Sequence, residues 1–180
     1  MTLIKTLTAS NSSTLSFVDG AASVVLDDTY DSYVFKFINI HGDTDDEAFT
    51  FNVSIDAGSN YNVAKTTTFF RTYHFEGDDG AASTYTAAFD LAQGTGFQDI
   101  NHYLSSDSDE SCSGELSLYN PSNTTFVKHF MSNTSSAVEG VHNHYVAGYA
   151  NTTSAVNAIQ FKMDSGTFDG VIKLYGIKDS

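Results

Sequence analysis

The sequence predicts an all-β fold: a two-sheet antiparallel sandwich of jelly-roll type, built from about ten short strands. Three observations predict it. Apolar and polar residues alternate with period two in one segment after another, while amphipathic helical spacing is almost missing. The composition is strand chemistry, with 14 Phe and 10 Tyr set among abundant Thr, Ser and Val. A single proline, Pro121, leaves the turns to Gly, Asn, Asp and Ser. Residues 1–180 are read as one domain. A chain of that size buries roughly 70% of its unfolded surface and needs neither metal nor disulfide to hold a core.

The elements follow in order. Leu3 to Leu7 reads as a first strand, Leu15 to Val18 as a second after an Asn-Ser-Ser turn, and Val24 to Leu26 as a third after Asp19-Gly20. Ser32 to His41 is the strongest, with Tyr33, Phe35, Phe37 and Asn39 on one face and Val34, Lys36, Ile38 and Ile40 on the other. Ala48 to Asp56 sets Phe49, Phe51, Val53 and Ile55 against Thr50, Asn52 and Ser54. The short acidic link Asp43 to Glu47 predicts that these two strands pair as a hairpin. Thr66 to Phe75 makes a further strand.

Alternation then lapses. Residues 76–113 are rich in acids, glycine and small residues, and read as a long irregular insertion ordered by neighbouring molecules. Within it, Thr86 to Gln93 has the composition of a short helix. Alternation resumes at Gly114 to Asn120 and at Phe126 to Met131. A polar loop from Ser132 to Gly140 precedes strands at His144 to Ala150, Val156 to Met163 and Gly170 to Ile177. The stretch Ser113 to Asn120 echoes Asp169 to Gly176, each a glycine-led strand leaving through Leu-Tyr.

Charge narrows the function classes. Eight Lys and Arg against 22 Asp and Glu give a net charge of −14, which repels phosphate backbones and anionic bilayers. Neither nucleic acid nor membrane is therefore expected as a partner, and the acids keep an aromatic-rich surface soluble. Cys112 is the single cysteine, so no intrachain disulfide forms. The segment Met1 to Leu7 is too short and too alternating for a signal peptide, and no apolar run reaches membrane-spanning length. Synthesis in a cytoplasm is the expectation.

No catalytic or cofactor-binding residue is assigned, and the chain is not expected to be an enzyme. Cys112 follows the acidic run Asp107 to Glu110, where negative charge disfavours a thiolate. There is no Gly-x-Ser-x-Gly elbow, and Gly94-Thr95-Gly96 lacks the lysine of a phosphate loop. The acid pairs in Asp45 to Glu47, Asp78-Asp79 and Asp109-Glu110 lie in turns without tryptophan, and read as solvated side chains rather than a glycosidase pair. His142 and His144, two apart on a strand, share a face suited to two imidazole ligands, with no third nearby in sequence. Calcium is the one cofactor weighed, through Asp43 to Glu47, Gly77 to Gly80 and Asp107 to Glu110, none with EF-hand spacing. Asn-x-Ser/Thr triplets at Asn11, Asn52, Asn123, Asn133 and Asn151 reflect composition rather than glycosylation. Candidate sugar platforms are Tyr61, Phe69, Phe70, Tyr73, Tyr103 and Tyr145, for each of which core packing is the competing role.

The segment Ala158 to Ile177 carries an Ile-x-Phe strand, a Ser-Gly-x-Phe turn and a Gly-x-Ile-x-Leu-Tyr-Gly strand. It resembles a pattern near the carboxyl end of small virion proteins of tailed bacteriophages, especially marine ones, where these pieces form a closing hairpin. Ser32 to His41 and Asn120 to Phe130 are similar to the same group, so the resemblance covers most of the chain and is weakest in the acidic middle. It implies a surface-exposed jelly-roll module of a virion, decorating the capsid or forming part of a tail or fibre. It also implies a homo-oligomer, a trimer being favoured by particle symmetry, in contact with other virion proteins. The alternative reading is a carbohydrate-binding module that recognises a host surface glycan.

Overall fold

The computed structural model describes residues 1–178. Two antiparallel sheets face each other, made from thirteen strands among these residues. They are β1 (Thr2–Ser12), β2 (Leu15–Val18), β3 (Ser32–Gly42), β4 (Glu47–Ser54), β5 (Lys65–Phe75), β6 (Ala81–Tyr85) and β7 (Ala92–Gly94). The rest are β8 (Gln98–Leu104), β9 (Ser111–Tyr119), β10 (Lys128–Ala137), β11 (Gly140–Ala150), β12 (Ala158–Met163) and β13 (Phe168–Ile177). The larger sheet runs β1-β13-β3-β9-β10-β11-β5-β6, with β7 also on β5, and the smaller runs β2-β12-β4-β8. Among the described residues no helix is long and apolar enough to cross a membrane.

The pairing is nested. β1 pairs with β13, β2 with β12, β3 with β9 and β4 with β8, so the outermost strands of the sequence meet and the innermost meet. These eight strands form the body of the sandwich. The remaining strands are inserted between β4 and β8 or between β9 and β12. They extend the larger sheet past β9 as a wing in the order β10, β11, β5, β6.

Aromatic rings fill the body. Phe161 on β12 lies at the centre, with its ring 5.2–6.5 Å from those of Phe17, Phe35, Phe37, Phe49 and Phe51, all fully or almost fully buried. Its neighbours come from β2, β3 and β4, so one side chain joins both sheets. Most of these pairs are edge-to-face or tilted, the arrangement that ring quadrupoles favour. The two strands that echo each other in sequence, β9 and β13, flank β3 on either side. Leu116, Leu118, Ile172 and Leu174 from these strands are all buried in the same core.

Several expectations change. The strand count rises because residues 76–113 hold β6, β7, β8 and the start of β9 rather than an irregular insertion. Short polar strands give no alternation to read when their partners supply the cover. The helix expected at Thr86 to Gln93 is one 3-10 turn, Ala87–Phe89, followed by β7, because β5 offers Thr66 and Lys65 as ladder partners. Val24 to Leu26 is buried but forms no strand. The polar stretch from Ser132 continues β10 to Ala137, since Ser132, Thr134 and Ser136 face inward.

Neither expected hairpin forms. β3 and β4 lie in different sheets, as do β12 and β13, so Asp43 to Asp46 and Asp164 to Thr167 are links between sheets. The two links hold each other: the Asp43 carboxylate accepts hydrogen bonds from the Thr167 backbone N–H at 2.9 Å and its hydroxyl at 2.7 Å. Gly166 sits there at φ +68°, where a Cβ would stand 2.3 Å from the Asp43 carboxylate, so only glycine fits.

Candidate binding surface

On a sheet with one face in solvent, alternation ought to place polar residues outside. The wing departs from this. Its outer face carries Phe70, Tyr85, Tyr119, Met131 and Tyr145, each between 41% and 57% exposed. The ladder arranges them in rows across the strands. One row runs Asn133, Tyr145, Phe70, Tyr85 across β10, β11, β5 and β6. Another runs His129, Tyr149, Thr66, with Tyr119 at its β9 end. Between them lies a row of smaller side chains, Ser117, Met131, Ala147 and Thr68. The outcome is a trough walled by rings, floored at Ala147 and Thr68, and interrupted by Met131.

The rings are held. The Asn143 amide donates to the Tyr145 hydroxyl at 2.7 Å, and the Tyr85 hydroxyl donates to the Asp90 carboxylate. Phe70 packs edge-on to Tyr85 with centroids 5.2 Å apart, and His129 lies 6.2 Å from Tyr149. The trough's hollow beside Tyr149 encloses about 520 Å³, within the range of ligand clefts. Gly148 lines it through its backbone alone; a Cβ there would point inward and meet the Thr66 carbonyl oxygen at 2.5 Å and the buried Phe130 ring at 2.9 Å.

Behind this face, the wing buries polar groups. His142 and His144 point to one side of β11, as their spacing predicts, and stack in parallel planes with centroids 6.3 Å apart. His144 is fully buried, and neither ring nitrogen has a hydrogen-bond partner. Burial, then the nearby His142, Arg71 and His102, push its imidazole down to about 3, so it is neutral. The Arg71 guanidinium lies 5.1 Å from the Tyr73 ring centre and 5.2 Å from that of Tyr103. Asn101 donates to the Thr134 hydroxyl at 3.1 Å, which donates onward to the Ile100 carbonyl at 2.6 Å, tying β8 to the wing. Lys65 is also fully buried; its ammonium donates to Asn52 Oδ1 at 2.5 Å and the Val63 carbonyl at 2.9 Å, and burial lowers it to about 7.

The sequence-derived candidates separate accordingly. Phe70 and Tyr145 stand exposed in the trough, whereas Phe69 is fully buried against Phe89 and His144. Tyr73 and Tyr103 flank Arg71, and Tyr61 lies beside the Gly58 turn and presents its carbonyl to Asn52. Sequence reading missed Tyr85, Tyr119 and Tyr149, because only pairing places them beside Tyr145. Cys112 is buried, and burial rather than the neighbouring acids raises its thiol. In each of the three turns an acid hydrogen-bonds within the fold: Asp45 accepts from the Ser106 backbone N–H, Glu110 from that of Glu139, and Asp78 meets His74. Among the described residues no group of three or more His, Cys, Asp or Glu is arranged to hold a metal ion. Comparison of the chain with protein-family models, curated proteins and solved structures finds no match.

Proposed function

We propose that the chain is a non-catalytic jelly-roll module of a tailed-phage virion, exposed on the capsid surface or in a tail or fibre, and assembled as a homo-oligomer. The nested pairing of β1 with β13, β2 with β12, β3 with β9 and β4 with β8 carries this reading. That is the order expected when one long hairpin rolls into two sheets, and jelly rolls serve as viral shell domains and as lectins. The resemblance of Ala158 to Ile177 to phage virion proteins points the same way. A trimer is the favoured assembly, and other virion proteins are the neighbours. A buried, protonated Cys112 and hydrogen-bonded turn acids support a role without covalent or acid–base chemistry. Mass spectrometry of purified particles tests the assignment: a stoichiometric copy number is expected, and absence of the chain from intact virions would overturn it.

A second reading is favoured by one specific feature, the ring-walled trough on the wing: recognition of a host surface carbohydrate. The two are compatible, since a virion module on the particle exterior is placed to touch the host.

A further inference from the structure

The exposed rings of the wing occupy positions where a solvent-facing sheet ordinarily shows polar side chains, and contiguous exposed apolar surface marks interaction sites. Their arrangement narrows the occupant. The trough crosses β9, β10, β11 and β5, three inter-strand gaps that together span about 14 Å. Aromatic faces alternate with hydroxyls and amides: Tyr145 and Phe70 on one wall, Tyr149 on the other, Thr68 and Ser117 between them, Asn133 at the rim. A pyranose matches that mixture, since it offers an apolar C–H face to a ring and hydroxyls around its edge. Hydrogen bonds from Asn143 to Tyr145 and from Tyr85 to Asp90 fix the rings beforehand, which lowers the ordering cost of binding.

Charge and size narrow the occupant further. The one carboxylate lining the trough, Glu115, is paired with Lys36, and no lysine or arginine lines the hollows to receive an acidic sugar or phosphate. The lining is also far smaller than the roughly 800 Å² per partner that a stable contact between copies buries, so the contacts of the proposed oligomer fall elsewhere.

We infer that this trough binds a neutral oligosaccharide, with Tyr145, Phe70 and Tyr149 stacking on sugar rings and Asn133, Ser117 and Thr68 meeting their hydroxyls. The inference rests on the carbohydrate reading above and assigns its site and ligand class.

The test is affinity electrophoresis of the full chain through gels containing a neutral glucan, mannan or galactan, with alginate as an acidic comparison. Tyrosine emission, undiluted by tryptophan in this chain, gives a second readout in solution. At least one neutral glycan should retard the wild type. Tyr145→Ala and Phe70→Ala should each weaken binding about tenfold, the equivalent of one lost stacking contact. Tyr145→Phe should keep it, and Tyr175→Ala on β13 should leave it unchanged. Retention of full binding by Tyr145→Ala and Phe70→Ala would overturn the site while leaving the carbohydrate reading standing. Binding to none of the neutral glycans would overturn both, and retardation by alginate alone would overturn the ligand class. Dimerisation of the wild type that Tyr145→Ala abolishes, without glycan binding, would reassign the trough as a contact between copies.

Discussion

In the body of the sandwich the larger sheet turns Phe35, Phe37, Leu116, Leu118, Ile172 and Leu174 inward; in the wing the same side of the sheet carries Ser132, Thr134, Ser136, His142 and His144. The outward faces are exchanged too. The body shows Glu115, Lys36 and Lys173 in one row, whereas the wing shows Tyr145, Phe70 and Tyr85. Burial of apolar area drives the body's folding. The wing adds Phe69, Phe130 and Val146 to the same core, and relies besides on its backbone ladder, on side-chain hydrogen bonds such as Asn101 to Thr134, and on being continuous with β9. A sheet that mixes hydroxyls and imidazoles into its inner face and sets rings on its outer one is weaker as a core than the body beside it. The body carries most of the buried aromatic core, and the wing carries the exposed rings on which the proposed carbohydrate site rests.

The sharpest way to break this contrast is Phe161→Ala. The residue joins five rings from three strands of the body, so its removal should cost about 3–5 kcal/mol in urea unfolding. A loss below about 1 kcal/mol would mean the body does not depend on that hub. Gly148→Ala probes the wing. Its methyl would press on the Thr66 carbonyl oxygen at 2.5 Å and the Phe130 ring at 2.9 Å, and should cost about 1–3 kcal/mol. Hydrogen exchange should then rise in β5 and β11 ahead of β3 and β13; uniform loss of protection would show that the wing is no separate unit.

The third prediction concerns pH. His144 has an ordinary value of 6.5 and is pushed down to about 3 in the fold, so the unfolded chain binds the extra proton between these values. The share of stability that His144 governs is complete above about 6.5 and falls as pH drops toward 3, by up to about 1.4 kcal/mol per unit. Between pH 6.5 and 4.5, above the range of ordinary carboxylates, thermal midpoints of His144→Leu should fall less steeply than those of the wild type. Parallel slopes would remove His144 from the account. The smallest effect belongs to the body's outer face: Lys36→Ala should cost no more than about 1 kcal/mol, because both Lys36 and Glu115 are more than 40% exposed. Chemical denaturation of the single variant is enough to check it.

The body was largely legible in the sequence, because its strands obey alternation. Alternation puts Tyr33, Phe35 and Phe37 on one face, and all are buried. Asn39, grouped with them, is exposed and Ile40, grouped opposite, is buried, because a bulge between Phe37 and Ile40 shifts the register. What alternation does not carry is which strands pair. Links as short as Asp43 to Asp46 read as hairpin turns, yet they carry the chain from one sheet to the other. The wing is far less legible, since polar residues such as Ser132, Thr134, Ser136, His142 and His144 share its inward face with Phe69, Phe130 and Val146. Ser132 to Ala137 reads as a loop until Ile100 and Asn101 from β8 are found covering it. The site divides the same way. Tyr145 and Phe70 were nameable as aromatics, but their exposure, and their partnership with Tyr85, Tyr119 and Tyr149, depend on register. His142 and His144 were correctly placed on one face, while its inward direction was beyond the sequence.

The nested pairing also sets a timetable. Thr2 lies opposite Gly176 and Leu7 opposite Ile172, so β1 has no ladder partner until β13 has been synthesised. On a ribosome adding roughly 5–20 residues per second, the amino-terminal strand spends many seconds with an unpaired edge. Contacts this distant in sequence make folding slow. β8 meets β4 and β9 meets β3 much earlier, although β4 too waits for β12 on its other edge. The pairing of β1 with β13 is therefore among the last contacts the chain can make as it is synthesised.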